Sequence, residues 1–190
     1  RSANNKPKIL FVGQLNSRKN ILPLIKKLKS YTSLFQIMKI IGVGPLEHQI
    51  LSLIDNTKFE YCGQVHNSEM QSYLKDADLL IIPSLFDGWG AVVNEALTVG
   101  TPVLCSKNCG ASSLVMDNRG AKFENLNSDF DVVFKNLIEN LPNSDKTRLK
   151  IIEWASNVIS GRCAVEYLEN ILNYTNGNLT EKPLAPWKIK

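Results

Sequence analysis

The sequence lacks long apolar runs and has few metal-ligating residues. Its most apolar run, Leu79–Ile82, is far too short to span a bilayer, and the polar, basic first eight residues have no apolar stretch behind them. The sequence therefore predicts neither a transmembrane nor an exported protein. Its four cysteines form no CxxC pair and only two histidines accompany them, so the ligand spacing of a zinc site is missing. These absences favour a cytoplasmic protein that holds no metal.

Three ligand classes also find little support. The chain has 22 basic and 18 acidic residues, a net charge of +4, whereas a domain that coats nucleic acid shows a larger excess arranged in a stripe. No GxGxxG follows the first apolar run and no GxxxxGK[ST] occurs anywhere, so neither the usual dinucleotide site nor a P-loop is indicated. The sequence thus predicts no nucleic-acid partner.

Short apolar runs alternate with helical periodicity along most of the chain. Strands are predicted at residues 8–13, 34–41, 58–65, 79–82, 103–105 and 121–123, with helices between them and at 129–140, 146–158 and 162–173. This alternation predicts an α/β fold, a doubly wound parallel sheet with helices on both faces. Without an internal repeat or linker, residues 1–174 are predicted to form one domain and residues 175–190 a C-terminal tail.

Two local signals predict short helices. Ser68, followed three residues later by Gln71, forms the pattern of a capping box at a helix start. Residues 111–116 are predicted as a further short helix.

Three glycine-rich loops follow predicted strands. They are Gly13-Gln14-Leu15, Gly42-Val43-Gly44-Pro45 and Gly88-Trp89-Gly90. Ligands of doubly wound sheets bind beyond the carboxyl ends of the strands, where glycine allows close approach and helix N-termini favour anions. Arg18 and Lys19 follow the first loop, where their positive charges would neutralise a phosphate.

Two carboxylates flank the third loop. Asp87 precedes two glycines at a predicted helix start, and Glu95 lies one turn after Ala91 on the same helix face. This spacing would direct both carboxylates toward one cleft. The alternative is a structural role, in which Asp87 caps the helix and Glu95 is simply solvated.

Several of these stretches together resemble one known family. PSLFDGWGAVVNEALTVGTPV (residues 83–103) resembles the E-x7-E donor-site region of retaining glycosyltransferases of the GT-B fold, family 4 (glycosyl transferases group 1). FVGQLNSRKN (residues 11–20) resembles the phosphate loop of that family, and residues 42–45, 61–65 and 76–83 follow in the expected order. The resemblance covers residues 8–123, and more loosely the trailing helices, and it implies the C-terminal, donor-binding domain.

The resemblance implies a role for each matched residue. Glu95 would hold the ribose hydroxyls of a nucleotide-sugar, and Asp87 would lie beside the transferred sugar. Lys19 matches the diphosphate lysine of the family and forms the implied catalytic set with Asp87. The other implied donor-binding residues are Gly13, Gln14 and Arg18 around the phosphates, Gly44 beside the base, and the amides of Gly88, Trp89 and Gly90 at the sugar and diphosphate.

The sequence departs from the family pattern at two positions. Asp87 replaces the usual glutamate and is one methylene shorter. Gln14 stands where the family commonly has arginine, and Arg18 is the candidate to supply the missing positive charge.

The implied activity is transfer of a sugar, with retention, from a UDP-sugar or GDP-sugar to a glycan or lipid-linked acceptor, without a cofactor or metal. The acceptor site would lie on an N-terminal domain that this sequence lacks, and a lipid-linked acceptor would place the protein at the inner face of the membrane. Two alternatives remain open: a non-catalytic nucleotide-binding or interaction module, and a GT-B-like sugar-nucleotide epimerase.

Two further features of the sequence allow two interpretations each. Asp76-Ala77-Asp78 is a DxD, the metal signature of a different glycosyltransferase fold, but Asp78 directly before a strand also fits a turn. Trp89 could stack on a sugar face or anchor its loop by packing.

Overall fold

A six-stranded parallel sheet forms the centre of the computed structural model, which describes residues 6–141 and 145–188. The strands are β1 (Lys8–Val12), β2 (Ile37–Ile41), β3 (Phe59–Gly63), β4 (Leu79–Ile82), β5 (Val103–Ser106) and β6 (Gly120–Phe123). They lie in the order β3-β2-β1-β4-β5-β6, so the direction of winding reverses between β1 and β4. The predicted doubly wound parallel sheet is confirmed.

Seven α-helices are described around this sheet. They are α1 (Ile21–Leu28), α2 (Glu47–Leu53), α3 (Asn67–Asp76), α4 (Ala91–Thr98), α5 (Phe130–Glu139), α6 (Asp145–Val158) and α7 (Gly161–Thr175). Within the described ranges, none of the helices combines the length and the apolar character needed to cross a membrane.

The core lies in two layers, one on each face of the sheet. Along β4, Leu79 and Ile81 pack with α1, α2 and α5, whereas Leu80 and Ile82 pack with α3, α4 and α6. All four side chains are at most 2% exposed, and each such burial contributes about 1.5–3 kcal/mol. A continuous apolar run is typical of a strand covered on both faces, which is why β4 lies in the middle of the sheet.

Three local predictions are corrected by the structure. Helix α3 begins at Asn67, with His66 as its N-cap, and the ring Nδ1 of His66 accepts from the backbone N–H of Ser68 at 3.3 Å. Ser68 therefore lies inside the first turn and cannot form the predicted capping box with Gln71. The helix predicted at 111–116 is instead a 3-10 turn, Gly110–Leu114, because Val115 returns to an extended conformation. Strand β2 begins at Ile37 rather than at residue 34, since residues 32–34 form a turn after α1.

Candidate functional site

Loops from four strands meet at the carboxyl edge of the sheet, where the winding direction reverses. We call them the β1 loop (residues 13–20), the β2 loop (42–46), the β4 loop (83–90) and the β5 loop (107–111). Backbone N–H groups join neighbouring loops: Leu15 donates to the Val43 carbonyl at 3.0 Å and Leu85 to the Arg18 carbonyl at 2.9 Å. The three glycine-rich segments predicted from the sequence are thus brought together at the edge where doubly wound folds bind ligands.

Gly44 is required by the contact between the β1 and β2 loops. A Cβ atom at this position would lie 2.6 Å from the backbone oxygen of Leu15, which is closer than van der Waals contact allows. The same oxygen accepts from the backbone N–H of Leu46 at 2.9 Å. The fold therefore needs glycine here whether or not a ligand is bound, and the role of Gly44 beside a base stays a prediction.

Lys19 and Asp87 form an ion pair that joins the β1 loop to the β4 loop. Lys19 ends the 3-10 turn Ser17–Lys19, and its backbone N–H donates to the side chain of Asn16, the N-cap, at 3.0 Å. The Lys19 and Asp87 side chains are only 15% and 12% exposed, so water screens their attraction less than it screens a surface pair. The two residues predicted to be catalytic are therefore in direct contact.

Arg18 and Gln14 both precede Lys19 in the β1 loop, and their side chains have different partners. The guanidinium of Arg18 donates from Nη1 to the Phe86 carbonyl at 3.1 Å, and no other side-chain hydrogen bond of Arg18 is found within the described residues. Gln14 accepts from Asn16 through its side-chain oxygen at 3.0 Å and is exposed. Arg18 thus lies against the β4 loop, and its remaining guanidinium N–H groups have no hydrogen-bond acceptor among the described residues.

The β4 loop turns its carbonyls toward the β5 loop. The backbone N–H of Gly110 donates to the Asp87 carbonyl at 3.0 Å, and that of Ala111 to the Trp89 carbonyl at 2.7 Å. The Cys109 thiol also donates to the Trp89 carbonyl, at 3.1 Å. Burial raises the pKa of the Cys109 thiol, which keeps the S–H donor in place at neutral pH.

The N–H groups of the last three residues of the β4 loop differ from the paired N–H groups earlier in the loop. Among the described residues, no hydrogen bond is made by the backbone N–H of Gly88, Trp89 or Gly90. Gly90 is also the N-cap of α4, with φ +85°, and a Cβ atom there would lie 2.6 Å from the sulfur of Cys109. A run of free N–H groups at a helix start favours an anion.

The indole ring of Trp89 packs against the protein. Its Nε1–H donates to the side-chain oxygen of Asn94 at 2.9 Å, and its ring centroid lies 5.6 Å from that of Trp187. These contacts favour the interpretation of Trp89 as a loop anchor over that of a sugar-stacking platform.

Glu95 has surroundings unlike those of Asp87. It is exposed on α4 at a groove of about 200 Å³ between α3 and α4, also lined by Asn67, Met70, Gln71, Leu74, Thr98 and Val99. Within the described part of the chain, its carboxylate has no hydrogen-bond or ion-pair partner. Asp87 does not cap α4, since the N-cap is Gly90. One carboxylate is thus engaged by a cation and the other is open to a ligand.

Asp76 and Asp78 of the DxD lie at the amino edge of the sheet, away from these loops. Asp76 pairs with the Lys8 ammonium at 2.6 Å, and Asp78 accepts from the Lys8 backbone N–H at 2.8 Å. Both aspartates therefore connect β1 to the turn that lies between α3 and β4.

Comparison with known proteins decides the family. The model of the family described as glycosyl transferases group 1 matches residues 1–158. The chain belongs to the glycosyl transferases group 1 family. The amylovoran biosynthesis glycosyltransferase AmsK of Erwinia amylovora is 31% identical over 132 residues, which is 62% of this chain and 32% of AmsK. This group 1 chain spans between 22% and 39% of the length of these curated relatives.

Solved glycosyltransferase structures share the fold of this group 1 domain. The lipopolysaccharide outer core galactosyltransferase WaaB superposes with a TM-score of 0.72 at 19% identity, covering 94% of this chain and 51% of WaaB. HepE of Anabaena in complex with UDP superposes with a TM-score of 0.66 at 18% identity, covering 92% of this chain and 50% of HepE. At these identities the likeness is one of fold.

Three residues of this group 1 site escaped the sequence analysis. The sequence analysis assigns no role to Cys109 or Asn94, and it places Trp187 in the predicted tail. The structure places all three against Trp89. The tryptophan in the predicted tail is a signal that could have indicated a packing contact.

Proposed function

We propose that this chain is the donor-binding half of a retaining glycosyltransferase of family 4, its C-terminal domain. It would move a sugar from a UDP-sugar or GDP-sugar to a glycan or lipid-linked acceptor. The observation that carries the proposal is the set of free N–H groups at Gly88, Trp89 and Gly90, directly after the aspartate that holds Lys19. Backbone donors and a lysine beside a helix start are the chemistry that recognises a diphosphate.

The ion pair of Lys19 with Asp87 gives the donor a specific way to bind. A diphosphate entering the β4 loop competes with Asp87 for the Lys19 ammonium. Once Lys19 turns to the phosphates, the Asp87 carboxylate is released beside the sugar that they carry. This exchange gives Asp87 its proposed role, and the ion pair with Lys19 neutralises the Asp87 carboxylate before a donor binds.

The ribose would be held by Glu95. A carboxylate accepts hydrogen bonds from two hydroxyls, and this one lies open at the groove between α3 and α4. The nucleoside would then lie on the β2 and α3 side of the β4 loop, with the diphosphate at the α4 start.

In the reaction, the bond between the anomeric carbon and the diphosphate oxygen breaks, and the electron pair leaves with the diphosphate. Lys19, Arg18 and the N–H groups of the β4 loop would stabilise that negative charge, and Asp87 the positive charge that develops on the sugar. The oxygen of an acceptor hydroxyl, held by a second domain, would form the new bond to the anomeric carbon, and its proton would pass to the departing diphosphate. The name of AmsK gives that protein a role in amylovoran biosynthesis, which supports a glycan acceptor. A lipid-linked acceptor would bring the protein to the inner face of the membrane.

The two carboxylates should respond differently to substitution. We expect Glu95→Ala to lower the affinity for UDP or GDP by about tenfold or more, because it removes charged hydrogen bonds to the ribose. Asp87→Asn should instead tighten UDP or GDP binding, because Lys19 no longer has to leave a carboxylate. Calorimetric titration of both variants measures this contrast, with Glu139→Ala on α5 as the matched control for charge loss. Equal weakening by the two site substitutions would contradict the assignment.

A further inference from the structure

The first part of the β4 loop is held as far as Asp87, by the β1 and β5 loops and by Lys19, and beyond Asp87 the side chain that anchors the loop is that of Trp89. Leu85 and Phe86 are 56% and 65% exposed, and a Cβ atom added at Gly88 would meet no other atom within 4 Å. The Trp89 carbonyl is held by Cys109 and Ala111, and its indole N–H by Asn94. What holds the ring itself therefore decides how rigidly the loop presents its free N–H groups.

The ring is held by the far end of the chain. The segment Pro186–Lys188 forms a 3-10 turn, closed by a hydrogen bond of 2.8 Å from the Lys188 N–H to the Ala185 carbonyl. In this turn, Trp187 packs at 5.6 Å from the Trp89 ring with the planes tilted by 57°, and at 6.4 Å from Tyr167 of α7. Trp187, which is 98 residues after Trp89 in the sequence, thus links the β4 loop to α7.

The segment lies at the margin of the core, where Trp187 is partly buried and packs against the layer that contains α4. Together with Pro186, Trp187 covers a cavity of about 270 Å³ whose other walls include Ile159, Tyr167 and Leu168. A partly buried side chain at the margin, which covers a cavity and contacts the rings of Trp89 and Tyr167, contributes less to the stability of the sheet than a fully buried one. Its substitution should loosen the β4 loop without unfolding the protein.

We propose that Trp187 is a positioning residue for the diphosphate and sugar subsite, acting through Trp89. By holding the indole ring, it keeps the N–H groups of Gly88, Trp89 and Gly90 in one arrangement. The inference about ligand binding rests on the proposed function. If the loop adopts its binding-competent conformation only part of the time, the apparent affinity is lower than the intrinsic affinity by that fraction.

The test compares Trp187→Ala with the wild-type chain. We expect the variant to bind UDP or GDP about three- to tenfold more weakly, the range that a lost aromatic pair allows. Binding of uridine or guanosine, which lack phosphates, should be unchanged in calorimetric or NMR titrations. Trp187→Phe should restore most of the affinity. Trp154→Phe is the matched control, because Trp154 packs under Arg119 and away from the β4 loop.

A second measurement needs no ligand. The N–H groups of Gly110 and Ala111 donate to the carbonyls of Asp87 and Trp89, so they report on the order of the β4 loop. We expect their hydrogen exchange to be faster in Trp187→Ala than in the wild type, with core amides of β1 unchanged.

The outcomes separate the two proposals. Wild-type exchange at Gly110 and Ala111 in Trp187→Ala overturns the role of Trp187, as does an equal loss of affinity for UDP and uridine. If the wild-type chain binds neither UDP nor GDP, the proposed function fails. The exchange rates then still decide whether Trp187 orders the β4 loop.

Discussion

Replacing Lys19 with methionine is expected to weaken the binding of UDP or GDP by about 10- to 100-fold, the effect of losing a hydrogen bond to a charged group. Methionine keeps the aliphatic stem that lies beside Gly13, where an added Cβ would be 3.6 Å from Lys19 Cδ. The substitution thus removes the ammonium with little change in packing. Affinity for uridine should not change, and the wild-type advantage should shrink as salt screens the charges.

The partner of Lys19 makes this prediction sharper. In Lys19→Met the Asp87 carboxylate stays beside the phosphates without its cation and repels them. Adding Asp87→Asn should therefore recover part of the lost affinity, and the double-mutant cycle measures the coupling of the two side chains. Lys26→Met, on the exposed face of α1, controls for the change in net charge. An unchanged affinity in Lys19→Met, with a loss in Arg18→Met, would assign the diphosphate to Arg18 instead.

The largest expected difference is in sugar transfer itself. The chain alone should form no glycoside, while a protein that joins it to an acceptor-binding domain should do so. Transfer needs an acceptor held at reacting distance from the anomeric carbon and protected from water, and orientation of this kind is worth about 7–11 kcal/mol. The loops described at the carboxyl edge form one face of such a site. The second face is proposed to come from the other domain.

Chromatography of reactions with UDP-sugars, GDP-sugars and simple or lipid-linked acceptors measures this directly. The matched pair is the 190-residue chain and the same chain fused to the acceptor-binding domain. Slow hydrolysis of the donor by the chain alone is compatible with the proposal. Efficient glycoside formation by the chain alone would contradict the half-enzyme interpretation.

Periodicity was enough to predict the sheet and the edge where the loops meet. The run Leu79–Ile82 is apolar at every position, and a short run of this kind is typical of a strand covered on both faces. The loops then follow from topology, because the carboxyl ends of parallel strands lie along one edge. These are consequences of local pattern and short connections.

The contacts that shape the site could not be predicted in this way. Lys19 and Asp87 are 68 residues apart, and Trp89 and Trp187 are farther still, so no periodic pattern links them. The roles of glycine were also ambiguous in the sequence. The sequence pattern predicts ligand approach at Gly44, yet the absence of a side chain there already makes room for the Leu15 carbonyl. A glycine-rich loop signals close approach without saying what approaches.

The central claim is that the carboxyl edge between β1 and β4 binds a nucleoside diphosphate. NMR titration of the isotopically labelled chain with UDP and with GDP tests it most directly. Saturable shifts of backbone amides are expected at Lys19, Gly88–Gly90 and Glu95, with none at Lys8 or Asp78 on the amino edge. Absence of saturable shifts with either nucleotide, or shifts confined to the amino edge, would contradict the account.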